Sequence, residues 1–188
     1  LVGVIRQQLV ELGINIFEGF VIKLIENRTD SLNVFIEKNG NRQILSGTNL
    51  LICAGRHPNI EGLNLESAGI RFSKKGIEVD KRLRTTNKKI FAVGDVIGGY
   101  KFTHLANYHA TIVIKNALFP VGAKVNYGAL PRVTYTTPEL ANVGLTEREA
   151  RKGHNKIRIL RSSFSENDRA QTEGKVNGFI KIITSTNG

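Results

Sequence analysis

The stretch KKIFAVGDVIGG, Lys88 to Gly99, decides how the rest of this chain is read. An apolar run, Ile90 to Val93, stops on Gly94 and Asp95 and then reaches the pair Gly98-Gly99. The run predicts a buried strand. In open α/β sheets, ligands sit beyond the carboxyl ends of strands. A carboxylate there accepts hydrogen bonds from sugar or polyol hydroxyls, and the glycines beside it let a ligand come close to the backbone. The alternative is a plain turn, in which the Asp95 carboxylate satisfies nearby N–H groups. A helix is expected from about Thr103 to Leu118, with Leu105, Ile112 and Ala117 among its apolar positions and Pro120 and Gly122 closing it. Its N-terminus offers unpaired N–H groups and a positive dipole end to an anionic ligand.

Upstream, NLLICAG (Asn49 to Gly55) is a continuous apolar run ending in glycine. That pattern suits a strand buried on both faces of a parallel sheet. In the CAGRHPN that follows, Arg56 supplies a permanent cation for phosphate or carboxylate, or is a surface turn residue, and Pro58 breaks regular structure. Before this run, Leu1, Ile5, Leu9 and Leu12 have helical spacing that Gly13 stops. INIFEG and FVIKLIEN read as strands, and Asn39-Gly40-Asn41 as a hairpin turn between two more. Residues 59–84 form a loop-rich crossing.

Downstream, residues 126–131 read as a linker into a new unit. RVTYTTPE is β-rich. Thr146 and Glu149 form a capping box for a helix that ends at Gly153. KIRILRSS and NGFIKIIT read as two final strands. The expected class is α/β: partial nucleotide-binding domains (a parallel sheet with an antiparallel meander), followed by the first part of an α+β domain.

The 188 residues are 40% hydrophobic and 23% charged, as in ordinary folded proteins. No apolar run reaches the roughly 18 residues of a membrane span, and no signal-peptide pattern is present; the expectation is a cytoplasmic protein. Cys53 is the single cysteine, which excludes an internal disulfide and an internal redox pair. The net charge of +11 is concentrated between Arg71 and Lys89. Those basic residues are not interleaved with aromatics and match no nucleic-acid-binding motif, so they read as a solvated face. His104 and His109 are five apart, wrong for a shared helix face; these two, His57 and His154 read as structural, and no metal site is expected.

Taken together, these segments resemble the flavoprotein disulfide reductases, the family of dihydrolipoamide dehydrogenase, mercuric reductase and glutathione reductase. AGRHPNIEGLNLESAGI is similar to the exit of that family's pyridine-nucleotide domain. LRTTNKKIFAVGDVIGG is similar to its second flavin motif. PRVTYTTPELANVGLTEREA and SENDRAQTEGKVNGFIKII are similar to its dimerisation domain, and YKFTHLANYHA points to the dihydrolipoamide dehydrogenase and mercuric reductase branch. The resemblance implies that Asp95, with Gly94 beside it, binds the ribitol chain of FAD and that the backbone at Thr103 meets the flavin's pyrimidine edge. It implies that Ala54, Gly55 and Arg56 border NAD or NADP, and that Val21 contacts the adenine of NAD. It implies residues 1–58 as the end of the NAD(P)-binding domain, 59–125 as the returning part of the FAD domain, and 126–188 as the first half of the dimerisation domain of a homodimer.

The departures from that family are as informative. The glycine fingerprints for the two dinucleotides, the C-x4-C redox pair and the C-terminal His-Glu context are not in the sequence. The chain therefore reads as an internal piece of an FAD-dependent NAD(P) disulfide oxidoreductase, with no catalytic residue of its own and inactive alone. The alternative is a non-catalytic module that only folds or dimerises. A basic nucleic-acid binder rests on charge alone.

Overall fold

A computed structural model describes residues 2–119, 122–153 and 156–186. The expected roles of Pro120 and His154 fall outside these residues. The chain divides into two compact units, one of Leu1–Ala54, Tyr135–Leu140 and Phe164–Gly178, the other of Gly55–Thr134, Ala141–Ser163 and Phe179–Gly188.

The first unit opens with helix α1, Val2–Glu11. Gly13, at φ 75°, ends it by donating its amide to the Val10 carbonyl. A three-stranded antiparallel meander follows, of β1 (Val21–Arg28), β2 (Ser31–Lys38) and β3 (Asn41–Gly47). Lys38 faces Asn41, which leaves Asn39 and Gly40 as a two-residue loop with φ of 51° and 82°. Both central residues are left-handed, the conformation that Asn-Gly favours and that matches the twist of the strands. The later part of this unit holds a 3-10 turn, Phe164–Glu166, and the short helix α4, Asp168–Thr172. No helix is expected here from the sequence pattern. The signal was Asn167, whose side-chain oxygen accepts the Ala170 amide at 3.0 Å as an N-cap.

The second unit is built around Leu65, Ile70, Ile77 and Ala92, with Phe72, Val79, Ile90 and Val96 packed against them. The two-residue strands β4 (Phe72–Ser73) and β5 (Gly76–Ile77) form a tight hairpin. Asp80 organises the crossing that follows. Its Oδ1 accepts the amides of Arg82 (2.8 Å) and Arg84 (3.1 Å), and its Oδ2 pairs with the Arg84 guanidinium. Helix α2 spans Thr103–Leu118 as expected and buries Leu105, His109 and Ile112. β6 (Arg132–Thr134) and β7 (Leu140–Asn142) pair, α3 is Glu147–Gly153, and β8 (Arg158–Ser163) pairs antiparallel with β9 (Phe179–Thr184). The capping box forms: the Glu149 carboxylate accepts the Thr146 amide at 2.8 Å, and the Glu149 amide reaches the Thr146 hydroxyl at 3.3 Å.

The mixed α/β class and the meander are as expected, but three expected strands are not formed. Asn49 to Gly55 has no strand pairing, and Leu51 and Ile52 are 86% and 70% exposed. Ile90 to Val93 contributes only an isolated bridge between Phe91 and Arg84. Ile14 to Gly19 is irregular. A strand needs a second segment along its length; among the described residues none lies beside Asn49 to Gly55, and Ile90 to Val93 has only the short stretch Leu83 to Thr85, through the Ala92 amide to the Leu83 carbonyl and the Thr85 amide to the Ile90 carbonyl. Among the described residues, no helix is long and apolar enough to cross a membrane.

Candidate functional site

Asp95 sits in a 3-10 turn, Gly94–Ile97, that runs from the buried Ala92 towards α2. Three glycines shape this turn. Gly94 has φ 73°, and a Cβ added to it would lie 3.2 Å from that of Ala106 on α2. Gly98 and Gly76 lie against each other's loops: a Cβ on Gly98 would fall 2.1 Å from the Lys75 carbonyl oxygen, and one on Gly76 would fall 2.5 Å from that of Val96. No side chain fits at these contacts, so the turn is tied to the β4–β5 hairpin by direct backbone packing.

The turn presents the Asp95 side chain at 42% exposure. Its Oδ2 accepts from Arg56 Nη1 at 2.7 Å. Arg56 Nη2 donates to the Lys101 carbonyl, and the Lys101 ammonium donates back to the Arg56 carbonyl. The carboxylate that Arg56 binds is therefore one of the chain's own. Among the described residues, Asp95 Oδ1 accepts no hydrogen bond. An ion pair this exposed contributes only about 0–1 kcal/mol, so it orients the carboxylate without holding it against a ligand.

Two residues after Lys101, α2 begins. Its N-cap, Phe102, has extended backbone and makes no side-chain capping bond; its carbonyl takes both the Leu105 and Ala106 amides. The amides of Thr103 and His104 are left without intrahelical partners. The site thus combines an oriented carboxylate, a guanidinium and an open helix N-terminus, a set that fits polyol hydroxyls and an anionic ring edge.

Buried beneath the turn, His109 Nδ1 accepts the Gly94 amide at 3.2 Å, and its Nε2 lies 3.1 Å from the Tyr127 hydroxyl. An acceptor Nδ1 places the ring proton on Nε2. Burial holds the His109 pKa below its usual value. The sequence implies a structural role for His109 but specifies no partner for it. Its burial was legible from the spacing Leu105–His109–Ile112, whereas Gly94 as its partner was not.

Gly55, Arg56, Gly94, Asp95 and Thr103 all lie in the second unit, whereas Val21 and Ala54 lie in the first, both exposed. Cys53 is exposed and free. Of the basic cluster, Arg84 pairs with Asp80 and Arg71 with Glu78 at 3.6 Å, and most of the remainder faces solvent.

Residues 3–110 match the sequence pattern of pyridine nucleotide-disulphide oxidoreductases, and residues 130–187 match the dimerisation domain of the same enzymes. A mercuric reductase from Staphylococcus aureus is 35% identical over 96% of this chain, and a dihydrolipoyl dehydrogenase from the same species is 33% identical over 96%. The chain spans 33% and 38% of their respective lengths. Among solved structures, LpdA from Mycobacterium tuberculosis superimposes with a TM-score of 0.84 at 25% identity, over 97% of this chain and 39% of that one. The HOCl-induced flavoprotein disulfide reductase RclA from Escherichia coli superimposes with a TM-score of 0.77 at 29% identity, over 97% and 42%. With a family match covering more than half its length, and a second covering the dimerisation segment, the chain belongs to the pyridine nucleotide-disulphide oxidoreductases, whose cofactors are FAD and NAD(P)H.

Proposed function

We propose that this chain is the portion of an FAD-dependent disulfide oxidoreductase that supplies one flavin-binding carboxylate, one helix N-terminus and a dimerisation segment. In the whole protein, electrons pass between NAD(P)H, FAD and a redox disulfide, in the manner of a dihydrolipoamide dehydrogenase or mercuric reductase. The observation that carries this reading is Asp95: an exposed carboxylate on a glycine-built turn, oriented by Arg56 through one oxygen. Its Oδ1 is available to a ribitol hydroxyl, and the amides of Thr103 and His104 to the pyrimidine edge. When bound, FAD supplies two-electron carriage between the nicotinamide and the disulfide.

The domain limits 1–58, 59–125 and 126–188 are part of this proposal, as are Ala54, Gly55 and Arg56 at the nicotinamide nucleotide and Val21 at its adenine. So is a homodimer. In support of the last, Phe179, Ile180 and Ile182 of β9 and Leu160 of β8 remain 42–63% exposed, a density of exposed apolar side chains that marks contact surfaces. The alternative, a module that only folds or dimerises, is favoured by the lone cysteine.

The test is a titration of the chain with FAD, followed by NMR. Binding is expected to be weak, because the phosphate-cradling glycine loops are not in the sequence. The amide shifts should fall at Asp95, Thr103 and His104, and Asp95→Ala should weaken binding about ten- to a hundredfold, the worth of a hydrogen bond to a charged group. Shifts located elsewhere, or equal affinity in the variant, would reject the reading.

A further inference from the structure

The Gly94–Asp95 turn is hydrogen-bonded to one buried side chain that the flavin reading does not use. We infer that His109 is the positioning residue of the Asp95 turn, and that protonation of its Nδ1 releases the turn and so weakens flavin binding at acid pH. This rests on the reading of Asp95 as a flavin ligand.

The geometry points one way. His109 is 1% exposed and lies one turn beyond Leu105 on the buried face of α2. Its Nδ1 takes the Gly94 amide, itself buried. That amide belongs to the residue before Asp95, at left-handed φ and within 3.2 Å (from its added Cβ) of α2, so it has little room to find another acceptor. Imidazolium has no lone pair on either nitrogen. Once Nδ1 carries a proton, the contact becomes donor against donor, and two buried groups lose their partner at once.

The surroundings are largely uncharged. Tyr127, from the segment after α2, faces Nε2 with its hydroxyl. Tyr108, the adjacent α2 residue, has its ring 6.3 Å away. Asp95 lies beyond Gly94, with one carboxylate oxygen, Oδ2, bound to Arg56. His104 is engaged elsewhere, with the Pro131 carbonyl at 3.0 Å. No carboxylate within this set faces the ring to favour imidazolium, and burial is the cause of the lowered pKa. The sign follows. As pH falls below about 6.5, the unfolded chain takes up the proton first and the fold loses stability. At the lower, folded-state pKa, His109 itself protonates and the Gly94 bond is lost.

The experiment is free of flavin. In the wild-type chain, the His109 ring nitrogens and the Gly94 amide are followed by NMR from pH 7.5 downward. His109→Asn places a side-chain oxygen near the position of Nδ1 and does not titrate; His109→Leu removes the acceptor. The expected result is an Nε2-protonated ring at neutral pH and a Gly94 amide shift that moves with the His109 midpoint. Gly94 should also lose about tenfold in exchange protection relative to Ile112, and these changes should be absent in the Asn variant. An Nδ1-protonated ring at neutral pH, a Gly94 shift indifferent to His109 titration, or an Asn variant that titrates like wild type would each overturn the inference. If His109→Leu does not fold, the wild type and the Asn variant still decide. Failure of the flavin reading looks different: Gly94 titrates as expected, but Asp95→Ala leaves FAD affinity unchanged.

Discussion

Asp95 and Asp80 are both carboxylates at turns, and the structure gives them opposite work. Asp80 is drawn into the chain. Burial pushes its pKa up, but the Arg84 amide and guanidinium and the Arg82 amide outweigh that, and the carboxyl sits below its ordinary value. A lowered folded-state pKa means that its stabilisation is present above the unfolded value of about 3.9 and is lost as pH falls through the folded one. Asp80→Ala is expected to cost about 2 kcal/mol at neutral pH and to flatten the acid side of the stability profile. Urea unfolding at pH 7 and near pH 3 measures both; an equal deficit at the two pH values would assign the loss to packing instead. Asp95, by contrast, makes no side-chain bond to the amides of its own turn, so its removal should leave thermal stability without flavin nearly unchanged. If Asp95→Ala lowers the melting temperature equally with and without FAD, the carboxylate is a turn cap.

Among the elements, those with local chemistry formed where the pattern placed them. The capping box of α3 is the sharpest case. Thr146→Ala removes the hydroxyl that meets the Glu149 amide and should cost about 1 kcal/mol. In a chain of this length that is about 2–4 °C in melting temperature, while Thr146→Ser should keep most of it. Calorimetry on the two variants checks this. α2 shows the complement: its extent is a matter of periodicity, but its open N-terminus matters because the glycines at 94, 98 and 76 fold the Asp95 turn next to it.

At the scale of the whole molecule, the exposed runs are the main fact. Leu50 to Cys53, much of β1 and the first four residues of β9 leave apolar side chains in water. Burial of such side chains yields about 25 cal/mol per Å2, so self-association is expected. Sedimentation velocity should show a concentration-dependent dimer that Ile182→Lys weakens; a monomer at all concentrations would remove the homodimer from the proposal. Cys53 alone cannot cycle between dithiol and disulfide within one chain. The purified chain should therefore show no NAD(P)H-dependent reduction of lipoamide, glutathione disulfide or mercuric ion, and a spectrophotometric assay with added FAD tests this.

What the sequence determined by itself is what short-range chemistry decides: the Asn39-Gly40 turn, the Gly13 stop, the Thr146–Glu149 box, the extent of α2, and the family resemblance carried by the Gly94-Asp95 and Gly55-Arg56 motifs. Each depends on a few neighbouring residues, so it is written where it acts. The tertiary structure decided the rest. It brought Arg56 onto the carboxylate of Asp95, placed His109 under the Gly94 amide, left Asn49 to Gly55 without a strand partner and gave Ile90 to Val93 no more than one bridge. An apolar run records that a segment suits burial. Whether it becomes a strand depends on a second backbone to accept its hydrogen bonds, and that partner lies far away in sequence where no local pattern can specify it.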